Sequence, residues 1–321
     1  MSLKNKSILV TGGAGFIGSH LVDKLVKKGW HVTVYDDLSS GKREFIKGHI
    51  GKKYFQFIKA DLLDLQKLKK SIAGHDIVFH LSANPDIRRG IRFTDIDLKQ
   101  NTVVTYNILE SMRQAGIKEI VFASTSTIYG EPNVMPTPED YGPLYPISLY
   151  GASKLACEAL CTSFSHTFEM KCWIFRFANI VGGRGTHGLI YDFIAKLRKN
   201  PKELEILGDG KQTKSYLLVD DCVDAILYVH EHSKEQFNVF NLGSNDRLNI
   251  TAIAKVLIEK MGLKHAKMSF TGGKRGWPGD VPQMSLSVEK LNKLGFKSRH
   301  SSREAVEIAI DRMLKETKDH E

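Results

Sequence analysis

The sequence predicts an α/β fold built on a doubly wound parallel sheet, and three observations carry the prediction. A short apolar run, residues 7–10, leads into glycines at 12, 15 and 18 and then into a helical pattern. Short apolar runs alternate with helix-period segments through the first half, as expected of parallel strands joined by helical crossovers. Asp36 closes the second apolar run, at the roughly 20-residue spacing that a ribose-binding carboxylate takes in such sheets.

In chain order, strands are expected over 7–10, 31–35, 54–59, 77–80, 119–123 and 171–177. Helices are expected over 18–28, 65–72, 94–115 and 150–168. In the first helix Ile17, Leu21, Leu25 and Val26 form the inward face, Asp23, Lys24 and Lys27 the outward face, and Gly29 stops it. After about residue 177 the rhythm changes. Gly182-Gly183-Arg184-Gly185 and Gly208-Asp209-Gly210 mark turns. Helices are expected over 220–230, 251–261 and 302–315, a strand over 238–242, and an irregular segment over 271–282. At 321 residues the chain is long for one simple domain. The expected division is a cofactor domain over 1–177, with returning segments near 214–245, and a smaller α/β substrate-binding cap, discontinuous within 178–321.

The formal charge of +10 comes from scattered lysines, with short clusters at Lys52-Lys53 and Lys67 to Lys70. No long basic run or aromatic-interleaved stripe is present. Nucleic acid is therefore not an expected partner, and the charge suits small polyanions such as nucleotide diphosphates. The four cysteines, Cys157, Cys161, Cys172 and Cys222, form no CxxC pair and read as buried thiols in a reducing compartment. Cys157 and Cys161 have no further ligands nearby in sequence, and no metal is expected. No apolar run reaches the ~18 residues a membrane span needs. No charged n-region with an apolar h-region opens the chain. A cytoplasmic location is expected.

The strand, glycine turn and helix N-terminus make an anion site, where backbone N–H groups and the helix dipole meet a pyrophosphate that no side chain blocks. The Asp36 carboxylate suits the ribose hydroxyls of NAD and repels a 2′-phosphate. Tyr150 and Lys154, at i and i+4, share one helix face. A phenol titrates at about 10 and a useful base works near 7, a gap of roughly 4 kcal/mol. A lysine ammonium nearby, with the positive ring of oxidised NAD, supplies such stabilisation in a water-poor site. Ser124-Thr125-Ser126-Thr127 follow the strand over 119–123 at its carboxyl end, the edge where ligands bind in such sheets. One of these hydroxyls is placed to share a proton with Tyr150 and a substrate hydroxyl.

Together these motifs resemble the extended short-chain dehydrogenase/reductases, the NAD-dependent epimerase/dehydratase family, and within them the UDP-glucose 4-epimerase group. The resemblance covers nearly the whole chain. It rests on the glycine turn from Thr11 to Gly18, on Asp36-Asp37-Leu38-Ser39-Ser40-Gly41, Ala60-Asp61-Leu62, His80-Leu81-Ser82-Ala83, Asn101 and Ser124–Gly130. It continues through Tyr150–Lys154, Arg176-Phe177-Ala178-Asn179, Gly208–Gln212 and Pro278-Gly279-Asp280-Val281.

The resemblance implies an NAD site drawn from Gly12, Gly15, Phe16, Ile17, Asp36, Asp37, Ser39, Ser40, Gly41, Asp61, Leu62, Leu81, Ser82, Ala83, Asn101, Tyr150, Lys154 and Phe177. Asp61 and Leu62 would hold the adenine, and Leu81 to Ala83 would line the pyrophosphate and ribose. It singles out Thr125 as the hydroxyl partner of Tyr150, where serine is commonest, and Asn179, Lys214, Tyr216 and Arg275 as substrate contacts. Lys214 stands where the family often has arginine, so it offers a point charge without the bidentate fork. Arg275 is out of register with the arginine that precedes Pro-Gly-Asp.

The implied reaction is NAD-dependent inversion of C4 of a UDP-hexose, interconverting UDP-glucose and UDP-galactose or a related pair through a transient 4-keto sugar. Tyr150 would act as the phenolate base, Thr125 as the bridge, and Lys154 would position NAD and lower the tyrosine pKa. A homodimer packed through the helices over 94–115 and 150–168 is also implied. Dehydratases of this superfamily place Asp-Glu directly after the catalytic threonine, whereas Ser126 and Thr127 stand here. Arg88 or Arg89 leaves a UDP-glucuronate decarboxylase or 4-epimerase open. A dTDP-sugar dehydratase is a weaker alternative, and a non-catalytic NAD-sensing or RNA-binding regulator is the alternative of a different class. Met284 falls near the position that gates pocket size in epimerases.

Overall fold

The computed structural model describes residues 6–318. In chain order its elements are β1 (Ser7–Thr11), α1 (Phe16–Lys27), β2 (His31–Asp36), β3 (Phe55–Lys59), α2 (Leu65–Ile72), β4 (Ile77–His80), α3 (Arg89–Arg92), α4 (Val104–Ala115), β5 (Glu119–Thr125) and α5 (Leu149–Phe168). They continue with β6 (Lys171–Phe177), β7 (Asn179–Val181), α6 (Leu189–Lys199), β8 (Glu203–Ile206), β9 (Thr213–Lys214), β10 (Tyr216–Leu218), α7 (Val219–His232) and β11 (Phe237–Leu242). β12 (Leu248–Asn249), α8 (Ile250–Lys260), β13 (Lys267–Phe270), β14 (Gln283–Met284), α9 (Glu289–Leu294) and α10 (Ser302–Lys318) complete the chain.

Two compact units result. The first runs through residue 124 and takes 152–176 and 230–240; the second takes 125–151, 177–229 and the chain from 241. The stretch 125–151 therefore groups with the second unit, although it precedes the boundary drawn from the sequence at 177.

The first unit is built on a seven-stranded sheet in the order β11-β6-β5-β4-β1-β2-β3, a Rossmann-type doubly wound order with one added strand. The pairs β1–β2, β1–β4, β2–β3 and β4–β5 are parallel. Thr11 lies opposite both Tyr35 and His80, so Gly12, Asp36 and Leu81 stand side by side at the carboxyl edge of the sheet. Both faces are covered. Leu9, Val78, Ile120 and Ile174 pack with Leu68, Ile108 and Cys157 from the helices, while Ile8 and Val10, pointing the other way, are also fully buried.

Two local features depart from the sequence reading. On α1, Leu21, Val22 and Leu25 face the core and Val26 is only half-buried, so the inward stripe lies one residue from where periodicity put it. The helix expected over 94–115 is not uniform: Leu98–Val103 form a π-helical turn before α4, which ends at Gly116 in the left-handed region.

The second unit has its own core, in which Leu197, Leu204, Ile253, Leu257, Val306 and Ile310 are fully buried. Its α6 was not expected, although Ile190, Phe193, Ile194 and Leu197 carry the helical i, i+3, i+4, i+7 spacing. β9 pairs with β14, with Met284 opposite Lys214, and β10 pairs with β7, with Tyr216 opposite Asn179. No described helix is long and apolar enough to cross a membrane.

Candidate active site

At the carboxyl edge of the first unit's sheet, Gly12 takes φ +68° because the chain must turn there, and a Cβ on it would stand 2.7 Å from the Ser82 nitrogen. A Cβ on Gly18 would overlap the Gly12 carbonyl oxygen. Gly15 is the N-cap of α1 and has no side-chain cap, so first-turn N–H groups of the helix stay available to a ligand. Phe16 and Ile17 are half-buried in that turn. Asp36 is nearly buried and accepts the Ala14 N–H at 3.0 Å and the Leu38 N–H at 2.8 Å. Burial pushes its carboxyl up while these two bonds hold it down.

The Asp37 carboxylate accepts the Ser39 N–H and hydroxyl, and Gly41 lies so close to Ala14 that a Cβ would stand 2.8 Å from its carbonyl carbon. The 37–41 loop thus folds onto the glycine turn. Tyr35 donates its hydroxyl to the Asp61 carbonyl at 3.2 Å, and Leu62 is buried beside it. Leu81 donates its N–H to Thr11 at 3.1 Å, and Leu81, Ser82 and Ala83 are half-buried. A side-chain-free turn, an uncapped helix start and a carboxylate at the end of β2 fit a dinucleotide. Asn101 behaves differently: it is 1% exposed and its amide is engaged inside the protein.

α5 carries Tyr150, half-buried, in its first turn and Lys154, 2% exposed, one turn later. The Lys154 ammonium lies 4.3 Å from the centre of the Phe122 ring. Burial pushes its pKa down, against the pull of Cys157, Cys161 and Glu158. Burial and then the Lys154 charge push His80 down to about 3, so this imidazole is neutral. Its nitrogens lie 2.8 Å from Thr11 Oγ1 and 3.1 Å from Thr105 Oγ1.

The structure separates the candidate hydroxyls. Ser124 donates to Glu158 at 2.5 Å, and Glu158 pairs with Arg176 at 2.8 Å in the first unit's interior. Thr125, in the second unit, accepts the Thr127 N–H at 3.2 Å. A Cβ on Gly151, beside Tyr150, would stand 2.8 Å from the Thr127 carbonyl oxygen, so the start of α5 and the turn after Thr125 are in contact.

Elsewhere in the second unit, Lys214 donates to Asp280 at 2.6 Å, and Asp280 also accepts the Gly276 N–H at 3.0 Å. Asn179 is half-buried and donates to the Ser215 carbonyl at 3.2 Å. Phe177 is buried. Two expected substrate contacts are placed otherwise. Tyr216 is 4% exposed within the core cluster, where burial and then Asp280 push its phenol up. Its side chain packs the strand and offers little surface to a ligand. Arg275 donates to the Asp280 carbonyl at 2.6 Å and to both Glu131 carboxylate oxygens at 2.8 Å, so its guanidinium ties loop 271–282 to the segment after Gly130. Asp280, Glu131, Glu158 and Asp97 were not among the expected site residues. Glu131 and Glu158 have partners distant in sequence, Arg275 and Arg176, and no local spacing signals them.

The family model described as NAD dependent epimerase/dehydratase family matches residues 8–243. A solved structure described as UDP-galactose 4-epimerase is similar at 42% identity and TM-score 0.87, covering 97% of this chain and 99% of that one. A Mycolicibacterium smegmatis protein named UDP-glucose 4-epimerase is 36% identical over 226 residues, which is 68% of this chain and 71% of its own. A Bacillus cytotoxicus protein named UDP-N-acetyl-alpha-D-glucosaminuronate decarboxylase is 30% identical over 300 residues, 90% of this chain and 91% of its own.

Proposed function

The chain belongs to the NAD-dependent epimerase/dehydratase family, and on that premise we propose that it is a nucleotide-sugar 4-epimerase, with UDP-glucose and UDP-galactose as its pair. One observation carries the reading. The first turn of α5, with Tyr150, rests on the turn that follows Thr125, and positions 126 and 127 of that turn hold hydroxyls in place of a dehydratase's carboxylates.

Bound NAD supplies the hydride acceptor and donor. Gly12, Gly15 and the start of α1 would hold its pyrophosphate, and Asp36 would accept from its adenosine ribose. Tyr150, as phenolate, takes the proton of the C4 hydroxyl, and Thr125 Oγ1 bridges the two oxygens. The Lys154 ammonium, in a site where little water screens it, favours the phenolate and holds the nicotinamide ribose. Tyr150 then returns the proton to the C4 oxygen after the 4-keto sugar has turned over. Lys214 and Asn179 meet the diphosphate. The enzyme is a homodimer: Leu98, Val103 and Tyr106 leave apolar surface exposed along the helical stretch ending in α4, suited to a second copy.

Incubation with UDP-glucose, UDP-N-acetylglucosamine and UDP-glucuronate, followed by chromatography, tests the reading. UDP-galactose formation is expected from the wild type, with a fall of about 1,000-fold or more in Tyr150→Phe. A folded Tyr150→Phe protein with wild-type turnover sinks the mechanism. Carbon dioxide release from UDP-glucuronate, without UDP-galactose formation, would replace the reaction by decarboxylation.

A further inference from the structure

The π-helical turn Leu98–Val103 grips α5 at the residue before Lys154. Asn101 Nδ2 donates to Ser153 Oγ at 2.8 Å, and Thr102 Oγ1 donates to the Ser153 carbonyl at 3.3 Å. Side-chain hydroxyl and backbone oxygen of one residue are thus held by two neighbours on a widened turn. On its other side Asn101 Oδ1 accepts the Asn84 N–H at 2.9 Å, directly after the 81–83 stretch. Asp97 closes the network: its Oδ1 accepts from Asn84 Nδ2 at 2.9 Å and from Asn101 Nδ2 at 3.3 Å.

Asp97 is 1% exposed, and its Oδ2 has no hydrogen-bond partner among the described residues. Burying a carboxylate with one oxygen unsatisfied costs free energy, so the side chain is expensive for the fold. What it contributes is direction. Toward its neighbours Asp97 Oδ1 only accepts, so both neighbouring amides turn their NH₂ groups toward it. Asn101 Oδ1 is then obliged to face the Asn84 N–H, and the remaining Asn101 hydrogen is aimed at Ser153. A neutral amide in place of Asp97 can also donate, and it relaxes the constraint on the Asn101 amide; Asn84 is held as well by Asp86, whose carbonyl accepts from Asn84 Nδ2 at 3.0 Å.

We propose that Asp97 is a positioning residue of the cofactor site: acting through Asn84, Asn101 and Ser153, it sets where Lys154 stands relative to residues 81–83. The proposal rests on the NAD site described above, since both ends of the network are taken to hold that ligand. Asp97 itself touches neither cofactor nor sugar.

The test is NAD titration of cofactor-stripped wild type, Asp97→Asn, Ser153→Ala and the double variant, with thermal unfolding measured alongside. Each single variant is expected to weaken NAD about tenfold, and the double variant to be no weaker than the weaker single, because the two act along one network. In turnover assays kcat is expected to fall with the KM for UDP-sugar within about twofold. A packing role alone would lower the unfolding temperature and leave the NAD affinity of the folded protein unchanged. The proposal is overturned if Asp97→Asn binds NAD within about twofold of wild type, or if the two losses simply add. Should Asp97→Asn not fold, Asn84→Ala with Ser153→Ala carries the same comparison, since Asn84 Nδ2 is a donor to Asp97. A wild type that binds NAD but converts no UDP-hexose would sink the proposed reaction and leave this test intact; one that binds no NAD would sink both.

Discussion

Gly151 lies against the carbonyl of Thr127, with room for a hydrogen and none for a methyl group: a Cβ there would stand 2.8 Å from the oxygen and 3.0 Å from Pro146 Cβ. The contact sets how far the first turn of α5 stands from the Thr125 turn. Gly151→Ala must push these segments apart by several tenths of an ångström. The expected result is a fall in kcat of about 10- to 100-fold with sugar KM little changed, since misplacing a catalytic group acts on the transition state. Steady-state kinetics on the folded variant decide it, and unchanged kcat would show that the close approach is dispensable.

Lys154→Met removes a buried ammonium and keeps most of its volume. Burial already disfavours that charge, so the variant is expected to unfold at the same or a higher temperature than wild type. Turnover should nonetheless drop by about 100-fold or more, as the phenolate of Tyr150 loses its counter-charge. Calorimetry and a UDP-galactose assay on the same preparation separate the two effects.

Glu158→Ala leaves Arg176 buried without its carboxylate and Ser124 without its acceptor. Breaking one side of such a pair costs about 3–5 kcal/mol. Urea unfolding should show this loss, and a loss under about 1 kcal/mol would mean that water or a rearranged partner takes the carboxylate's place.

Glu119 accepts from Lys6 at 3.1 Å and lies 3.4 Å from His230. Its carboxyl is pulled down to about 2, chiefly by the nearby His230 imidazole and also by Lys6, against burial. A carboxyl whose folded pKa lies below its unfolded value contributes stability that is present above the unfolded value and lost as pH falls toward the folded one. The contribution should therefore be complete near neutrality, decline below the ordinary glutamate range of about 4.3, and vanish near pH 2. Comparing wild type with Glu119→Gln by urea unfolding across that range tests it; parallel curves would count against the pairing.

Gly18→Ala places a methyl group onto the Gly12 carbonyl, and backbone must move to accept it. NAD binding is expected to fall about 100-fold or more, while far-ultraviolet circular dichroism stays close to wild type. Titration with NAD reads the loss directly.

Much of the frame was legible from local pattern. The strands over 77–80 and 171–177 and the helix over 65–72 occupy the expected residues, because alternation and helical period act over a few residues. Gly12, Asp36, Tyr150 and Lys154 were legible for a similar reason: each is tied to a turn, a strand end or one helix face. The π-helical turn was not, since it runs through Lys99, Gln100, Asn101 and Thr102, where no apolar period marks a change of register. Helix α6 lies between glycine-rich stretches at 182–185 and 208–210 that signal turns and mask its helical spacing.

By itself, then, the sequence determined the doubly wound parallel fold class, the glycine turn with its carboxylate, and the Tyr150–Lys154 pairing on one helix. Only the tertiary structure decided which polar groups serve as partners. Ser124 turns inward to Glu158 while Thr125 does not, Tyr216 is spent on packing, Arg275 is held by Glu131, and Asp97 orients two amides around Ser153. The hydrogen bonds among these choices join Ser124 to Glu158, Arg275 to Glu131 and Asn101 to Ser153, which lie 34, 144 and 52 positions apart in the sequence. Local spacing determines where a side chain starts; packing and the requirement that buried polar groups find partners determine where it ends.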